Sequence, residues 1–391
     1  KLIPASSAAW ITGVESASLS RRPNALQPRP TTEISNPSSP PSLRNSILVP
    51  QFVFRCPGYA ITVGVMKNRL ASITILAALL AAPLVACGAG AAERIKFGTD
   101  WRAQAEHGGF YQAMARGFYK YQKLDVVIRQ GGPQINHAQL LAAGKVAFAL
   151  SSNSFIPLNY VREKIPMVAV AAIFQKDPQV LIAHPGQGND TLASLKGKQI
   201  YIGSDTRIGS WLFLMAKFGF EDSQIRPYTF SIVPFLVRKS AIQQGYLGSE
   251  PFLIEQQGIK PVVHLLADAG YQSYGALIQT SKKLVRDKPQ IVRSFVLASV
   301  LGWRDYLRGD PTPGNRLIKR ANPEMTDALL AYGRRKMNEY GIATSGDARA
   351  RGIGAMSETR WQAFFTTMSA AGLYPADMDW RTAFTTRFLP K

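Results

Sequence analysis

Between residues 94 and 151 short apolar runs alternate with amphipathic segments, and this alternation constrains the fold more than any other feature of the chain. The runs at 94–100, 124–130 and 146–151 predict strands, with helices predicted over 106–121 and 135–143 between them. Phe110, Met114 and Phe118 recur at helical spacing, which gives the first helix one apolar face. Strand, helix, strand at this separation implies a parallel sheet whose connections are crossover helices.

The same alternation then repeats. A helix over 155–163 and an apolar run at 167–173 lead to 180–183, where Gly186, Gly188 and Asn189 mark a predicted crossing into a second lobe. That lobe opens with a strand at 199–203, a helix at 209–218 and a further helix at 237–244. Strands at 262–266 and 275–280 carry the chain back, and helices at 289–308, 323–340 and 359–371 complete the first lobe. The expected fold class is α/β, with two lobes, each a mainly parallel sheet flanked by helices, joined by two crossings. The lobe boundaries are expected at 93–183, 184–272 and 273–391. In open α/β sheets ligands sit beyond the carboxyl ends of the strands, so a groove between two facing sets of strand ends is the expected site.

Residues 66–92 have the order of a secretory signal peptide: Lys67 and Arg69, an apolar stretch from Leu70 to Val85, then small residues. The stretch is interrupted by Pro83 and is short for a bilayer span, which needs about 20 residues. Two processing routes are open. Leu84-Val85-Ala86-Cys87 has the form of a lipobox, with a lipid on Cys87, whereas cleavage near Ala91 or Ala92 discards that cysteine. The preceding 65 residues, rich in Ser, Pro and Asn, are expected to be disordered, and Met66 is the expected translation start.

The cysteines, Cys56 and Cys87, both precede the folded body, which therefore has no disulfide framework, thiolate metal site or thiol nucleophile. A formal charge of +21 invites a nucleic-acid reading. The cations are dispersed, however, Arg334, Arg335 and Lys336 forming the longest run, and no recognised nucleic-acid motif accompanies them. Metalloprotease, serine-hydrolase, P-loop and complete dinucleotide-binding motifs are also missing, and the histidines are scattered. Reversible binding with no cofactor or metal is the expectation.

Candidate binding residues cluster at strand ends. Trp101 follows the first strand and offers a flat face for a ring, with Gln104 and His107 beside a helix start whose Gly108 and Gly109 expose backbone donors. Packing is the competing role for Trp101, and helix capping for His107. Ser152 and Asn153 follow the third strand and serve equally as caps or ligand contacts. In the second lobe Ser204 and Thr206 lie in a glycine-flanked loop, where ligand contact competes with helix capping by Asp205, and Glu250 opens a helix at Glu250-Pro251, where it either binds an amino group or serves only the helix dipole. Tyr274, near the second crossing, is either an aromatic wall or a hinge-packing residue.

The stretch TDWRAQAEHGGFYQAMARGFYKYQKLDVVIRQGG at 99–132, with GYLGSEPFLIEQQG and SYGALIQTSKKLVRDKPQIVRSFVLASVLGWRDYL farther on, resembles the bacterial ABC-transporter substrate-binding proteins for thiamine-pyrimidine precursors, riboflavin, nitrate and sulfonates. Asp100, Trp101, His107, Gly108, Gly117, Phe118, Tyr119, Leu124, Asp125 and Val126 carry the match. The resemblance implies a type II periplasmic-binding-protein fold and an extracytoplasmic, monomeric receptor that delivers a small solute to an ABC permease and has no nucleic-acid partner. Asp-Trp with a downstream His is most similar to the thiamine-precursor branch. Nitrate, sulfonate, taurine and riboflavin binding remain alternatives, as do a pyrimidine-metabolism enzyme and a sensor-coupled receptor. The fungal pyrimidine-forming relatives use a cysteine-rich motif that this chain lacks.

Overall fold

Strand β1 (Glu93–Gly98) shows how the first sheet is specified: Ile95 and Phe97 are buried while Arg94 and Lys96 face solvent. The computed structural model describes residues 92–132, 135–207 and 209–389. The leader, Cys87 and residues 1–65 lie outside the described residues. Two five-stranded sheets organise the fold. The first has the order β2 (Leu124–Arg129), β1, β3 (Phe148–Ser151), β10 (Gly275–Ser281), β4 (Met167–Phe174). The second has the order β7 (Ile225–Pro227), β6 (Ile200–Ile202), β8 (Ile242–Tyr246), β5 (Gln179–Ala183), β9 (Val262–Leu265).

Each sheet has a single reversed strand. β10 runs antiparallel to both β3 and β4, and β5 runs antiparallel to both β8 and β9. These are the strands by which the chain enters the second sheet and returns to the first, so both crossings connect directly to the middle of a sheet. Every residue of β4 and β5 is buried, as expected of strands covered on both faces.

The first crossing lies earlier than the sequence suggests. β5 belongs wholly to the second sheet, so the chain changes lobes at residues 175–178, and Gly186 to Asn189 fall in a loop beyond it. One guanidinium ties the two crossings together. Arg360 donates to the carbonyl of Gln175 on the first crossing and to those of Gln272 (3.0 Å) and Ser273 (3.1 Å) on the second.

Local differences have local causes. The helix expected over 106–121 is divided into a 3-10 turn, Ala105–His107, and helices Gly108–Ala115 and Phe118–Tyr121, because Gly117 adopts φ 74°. The helix expected at 237–244 is instead Val233–Val237 followed by β8. Gln243 and Gln244 gave that strand a polar appearance, yet both are buried in a central strand and hydrogen bonded, Gln244 accepting from the Gly203 amide at 2.6 Å. Helix Thr312–Ala321 was not anticipated, and the next helix starts at Asp327, where the Thr326 hydroxyl accepts from the Leu329 amide.

Gly108 and Gly109, expected to offer backbone to a ligand, serve packing. A Cβ on either would lie 2.1 Å from Tyr306 or 2.2 Å from Trp303, both on helix Pro289–Arg308. Gly302 on that helix completes the close approach, since its Cβ would stand 2.2 Å from the Gly109 carbonyl. Backbone cannot swing aside as a side chain can. Gly302→Ala is expected to lower stability by about 1–3 kcal/mol through overpacking, measured as a reduced urea midpoint.

Candidate functional site

Beyond the carboxyl ends of both sets of strands lies a cavity of about 680 Å³, lined from the first sheet's side by the turn after β1 and the segment after β3, and from the second by the loops after β6, β7 and β8. The turn after β1 is fixed by its own polar groups. Thr99 Oγ1 donates to the Trp101 carbonyl (2.8 Å), while Gln130 accepts from the Ala103 amide (2.9 Å) and donates to the Ala321 carbonyl (2.9 Å). This presents Asp100, Trp101, Gln104, Glu106 and His107 to the cavity.

His107 holds the N-cap position of helix Gly108–Ala115, but its side chain makes no capping hydrogen bond. Its Nε2 stands 3.0 Å from Asp100 Oδ1, and its Nδ1 is buried without a partner among the described residues. Burial alone would raise the Asp100 carboxyl, but the hydrogen bond and charge of His107, helped by its backbone and Ser152, hold it below the ordinary carboxylate range. After β3, Ser151 donates to the Asn153 carbonyl (2.7 Å) and Asn153 Oδ1 accepts from the Phe155 amide (3.1 Å). Asn153 therefore does act at the start of its helix, and both it and Ser152 also line the cavity.

On the second lobe Gln179 donates to Thr206 Oγ1 (3.0 Å) and accepts from the Ser210 hydroxyl (2.8 Å). Glu250 accepts from the Tyr246 amide (2.8 Å) and from the Tyr228 hydroxyl (3.3 Å). Burial raises its carboxyl pKa, against the lowering effect of those hydrogen bonds. Across the cleft Trp101 meets Phe230, ring centroids 4.6 Å apart at 46°, and Tyr228 packs on Phe230 from behind. Each lobe thus supplies one ring to the mouth of the site.

The charge of the lining is one-sided. Asp100, Glu106, Glu163 and Glu250 are present, and no lysine or arginine lines the cavity among the described residues. Burial, reinforced by Glu250 and Asp100, pushes the Glu106 carboxyl up to about 7, while His107 opposes the shift.

Trp101, Gln104, His107, Ser152, Asn153, Thr206 and Glu250 of the anticipated residues therefore converge on one cavity. Ser204 opens the short helix Ser204–Arg207 beside it. Tyr274 is corrected. It is buried behind the second crossing, where its hydroxyl donates to Asp347 and accepts from the Ser357 amide (2.9 Å), with Arg360 over its ring face at 4.1 Å. The hinge-packing alternative accounts for it, and it does not line the cavity.

Sequence reasoning missed Glu106, His137, Gln179, Tyr228, Phe230, Gln244 and Tyr246, all of which line the site. Glu106 had a signal, its place beside His107 in the turn after a strand. Gln244 was hidden by the helical misreading of β8. Tyr228 and Phe230 lie on an irregular loop after a three-residue strand and carried no periodic signal.

The sequence profile of the family described as NMT1/THI5 like matches residues 104–312. The chain belongs to that NMT1/THI5-like family. Among curated relatives, the riboflavin-binding protein RibY of Chloroflexus aurantiacus is 27% identical over 292 residues, covering 72% of this chain and 82% of that protein. A putative thiamine biosynthesis protein of Haemophilus influenzae is 29% identical over 112 residues, 28% of this chain and 35% of its own length. In fold, the chain is similar to the alkanesulfonate-binding protein SsuA of Xanthomonas axonopodis pv. citri, solved with MOPS (TM-score 0.56, 14% identity, 75% of this chain and 98% of that one). The aliphatic sulphonate-binding SsuA of Escherichia coli gives a TM-score of 0.56 at 13% identity, covering 74% and 91%. The two-lobed α/β architecture of this NMT1/THI5-like chain is thus that of periplasmic binding proteins. The hinge role of Tyr274 is checked by Tyr274→Phe, expected to cost about 1–2 kcal/mol of stability in urea denaturation while leaving solute affinity unchanged within about twofold.

Proposed function

We propose that this protein is the extracytoplasmic solute-binding component of an ABC importer, capturing a small nitrogen heteroaromatic between its lobes and presenting the closed form to a permease. One observation carries the reading: the cavity joins an aromatic contact made across the two lobes to an acidic polar lining with no lysine or arginine among the described residues. A receptor of this kind has no need of catalysis. Contacts to both lobes exist together only in the closed state, so a solute that makes them shifts the population toward closure.

The lining argues for the ligand class. Sulfonate and nitrate are anions, and a site with several carboxyls and no lysine or arginine offers them repulsion where they need charge-assisted donors. A heterocycle with amino groups and ring nitrogens suits Trp101 and Phe230 as walls, with Asp100, Glu106 and Glu250 as acceptors and Gln104, Ser152, Asn153 and Thr206 as orienting groups. A pyrimidine of the thiamine-precursor kind is the first choice. A flavin is the second, favoured by the RibY relative and by a cavity large enough for a fused ring system.

A thermal-shift screen over pyrimidines, flavins, sulfonates and nitrate, followed by native mass spectrometry of the hits, tests this reading. Stabilisation by a heteroaromatic, recovered unchanged in mass, is expected, and stabilisation by the anions alone would sink it. For the best hit, Trp101→Ala is expected to weaken binding about tenfold or more in calorimetry through loss of the ring contact and its buried area.

A further inference from the structure

The acidic lining has a particular geometry at the seam between the lobes. Glu106, from the first lobe, is only 4% exposed, and its Oε1 has no hydrogen-bond partner among the described residues. It meets the second lobe where that lobe is bare backbone: a Cβ on Gly248 would lie 2.3 Å from Glu106 Oε1. Two residues farther on, Glu250 lines the same cavity, with one carboxyl oxygen on the Tyr246 amide and the other on the Tyr228 hydroxyl. Glu250 thus already has acceptor contacts on its own lobe, whereas Glu106 is buried with an acceptor unused.

Among the described residues the groups that face Glu106 include no lysine or arginine, and the one opposing charge, His107, is shared with Asp100. Asp100 is a second carboxylate, and His107 is committed to Asp100. Tyr306 is a neutral phenol that donates to Asn315. Helix Asp327–Glu339 approaches through Gly333, whose Cβ would fall 3.9 Å from Glu106 Oε1. The adjacent Arg334 is turned away onto the carbonyls of Tyr306, Leu307 and Gly309. Tyr246 is the remaining titratable group on the facing loop, and it lines the cavity.

We infer that Glu106 and Glu250, one from each lobe, form a carboxyl pair that resists closure of the empty cleft and is satisfied by the protonated or amino-substituted edge of a nitrogen heterocycle. This rests on the heteroaromatic reading above and adds to it a positive or donor-rich ring edge as the feature selected. When both carboxyls are ionised, closing the lobes brings like charges together in a water-poor seam, which costs free energy. A donor edge between them replaces that repulsion with charge-assisted hydrogen bonds. A proton does the same in part. Burial lifts Glu106 to about 7, above its ordinary value, so the closed form takes up a proton and empty closure is favoured as pH falls toward and below that value.

Two measurements test the pair. In small-angle scattering of the solute-free protein, wild type is expected to be expanded at pH 8 and more compact at pH 6, and Glu106→Gln and Glu250→Gln to be compact at both. In calorimetry at pH 7, wild type is expected to bind 4-amino-2-methylpyrimidine about tenfold more tightly than 2-methylpyrimidin-4-one, a ratio that falls to about threefold or less in Glu106→Gln. Variants as expanded as wild type at pH 8 overturn the proposal, and so does an unchanged ratio in Glu106→Gln. If wild type binds neither probe, the heterocycle reading fails and the specificity assigned to the pair fails with it, while scattering still decides whether the carboxyls oppose closure.

Discussion

Two lobes joined by two connections can move as units only if those connections bend together, and here one side chain couples them. Arg360 holds carbonyls from both crossings and lies over the ring of Tyr274, which in turn is anchored to Asp347 and Ser357. Burial lowers the Arg360 pKa, offset by Tyr274 and Asp347, and the guanidinium keeps its charge because its ordinary value is so high. Everything at the cleft depends on this clasp, since the Trp101 to Phe230 contact and the meeting of Glu106 with Gly248 both require one lobe to be placed accurately against the other.

The chain is strongly basic, yet its cavity is acidic. The two facts are compatible because net charge describes the surface, where dispersed lysines and arginines pair loosely with carboxylates at exposures above a third. Exposed pairs of that kind do little for stability. Inside the cleft the carboxyls of Asp100, Glu106 and Glu250 are buried, so the local lining and not the overall balance sets the charge a bound group would meet.

Much of the fold was legible because burial leaves periodic traces. The run at 167–173 is apolar at every position, as a doubly covered strand must be, and helix Pro289–Arg308 announces itself by Pro289 and a continuous apolar face. The place of the first crossing was not legible, because β5 is as apolar as β4 and nothing local says to which sheet it pairs. β8 was misread because a central strand that buries two glutamines mimics a polar helix. The strand-end rule singled out Trp101, His107, Ser152, Asn153, Thr206 and Glu250, which the structure places around one cavity. It missed Gln179, Tyr228 and Phe230, which reach the cavity through sheet order and an irregular loop. The glycines after His107 show the rule's weakness: a strand end is also where a helix must pack back onto its neighbours, and Trp303 and Tyr306 claim that space.

Gly248 and Gly333 meet at the seam, a Cβ on Gly333 falling 3.2 Å from the Gly248 carbonyl. Main chain on main chain makes a hard stop. The spacing of the two lobes at this point is therefore set by polypeptide thickness, with no side chain in between that could yield.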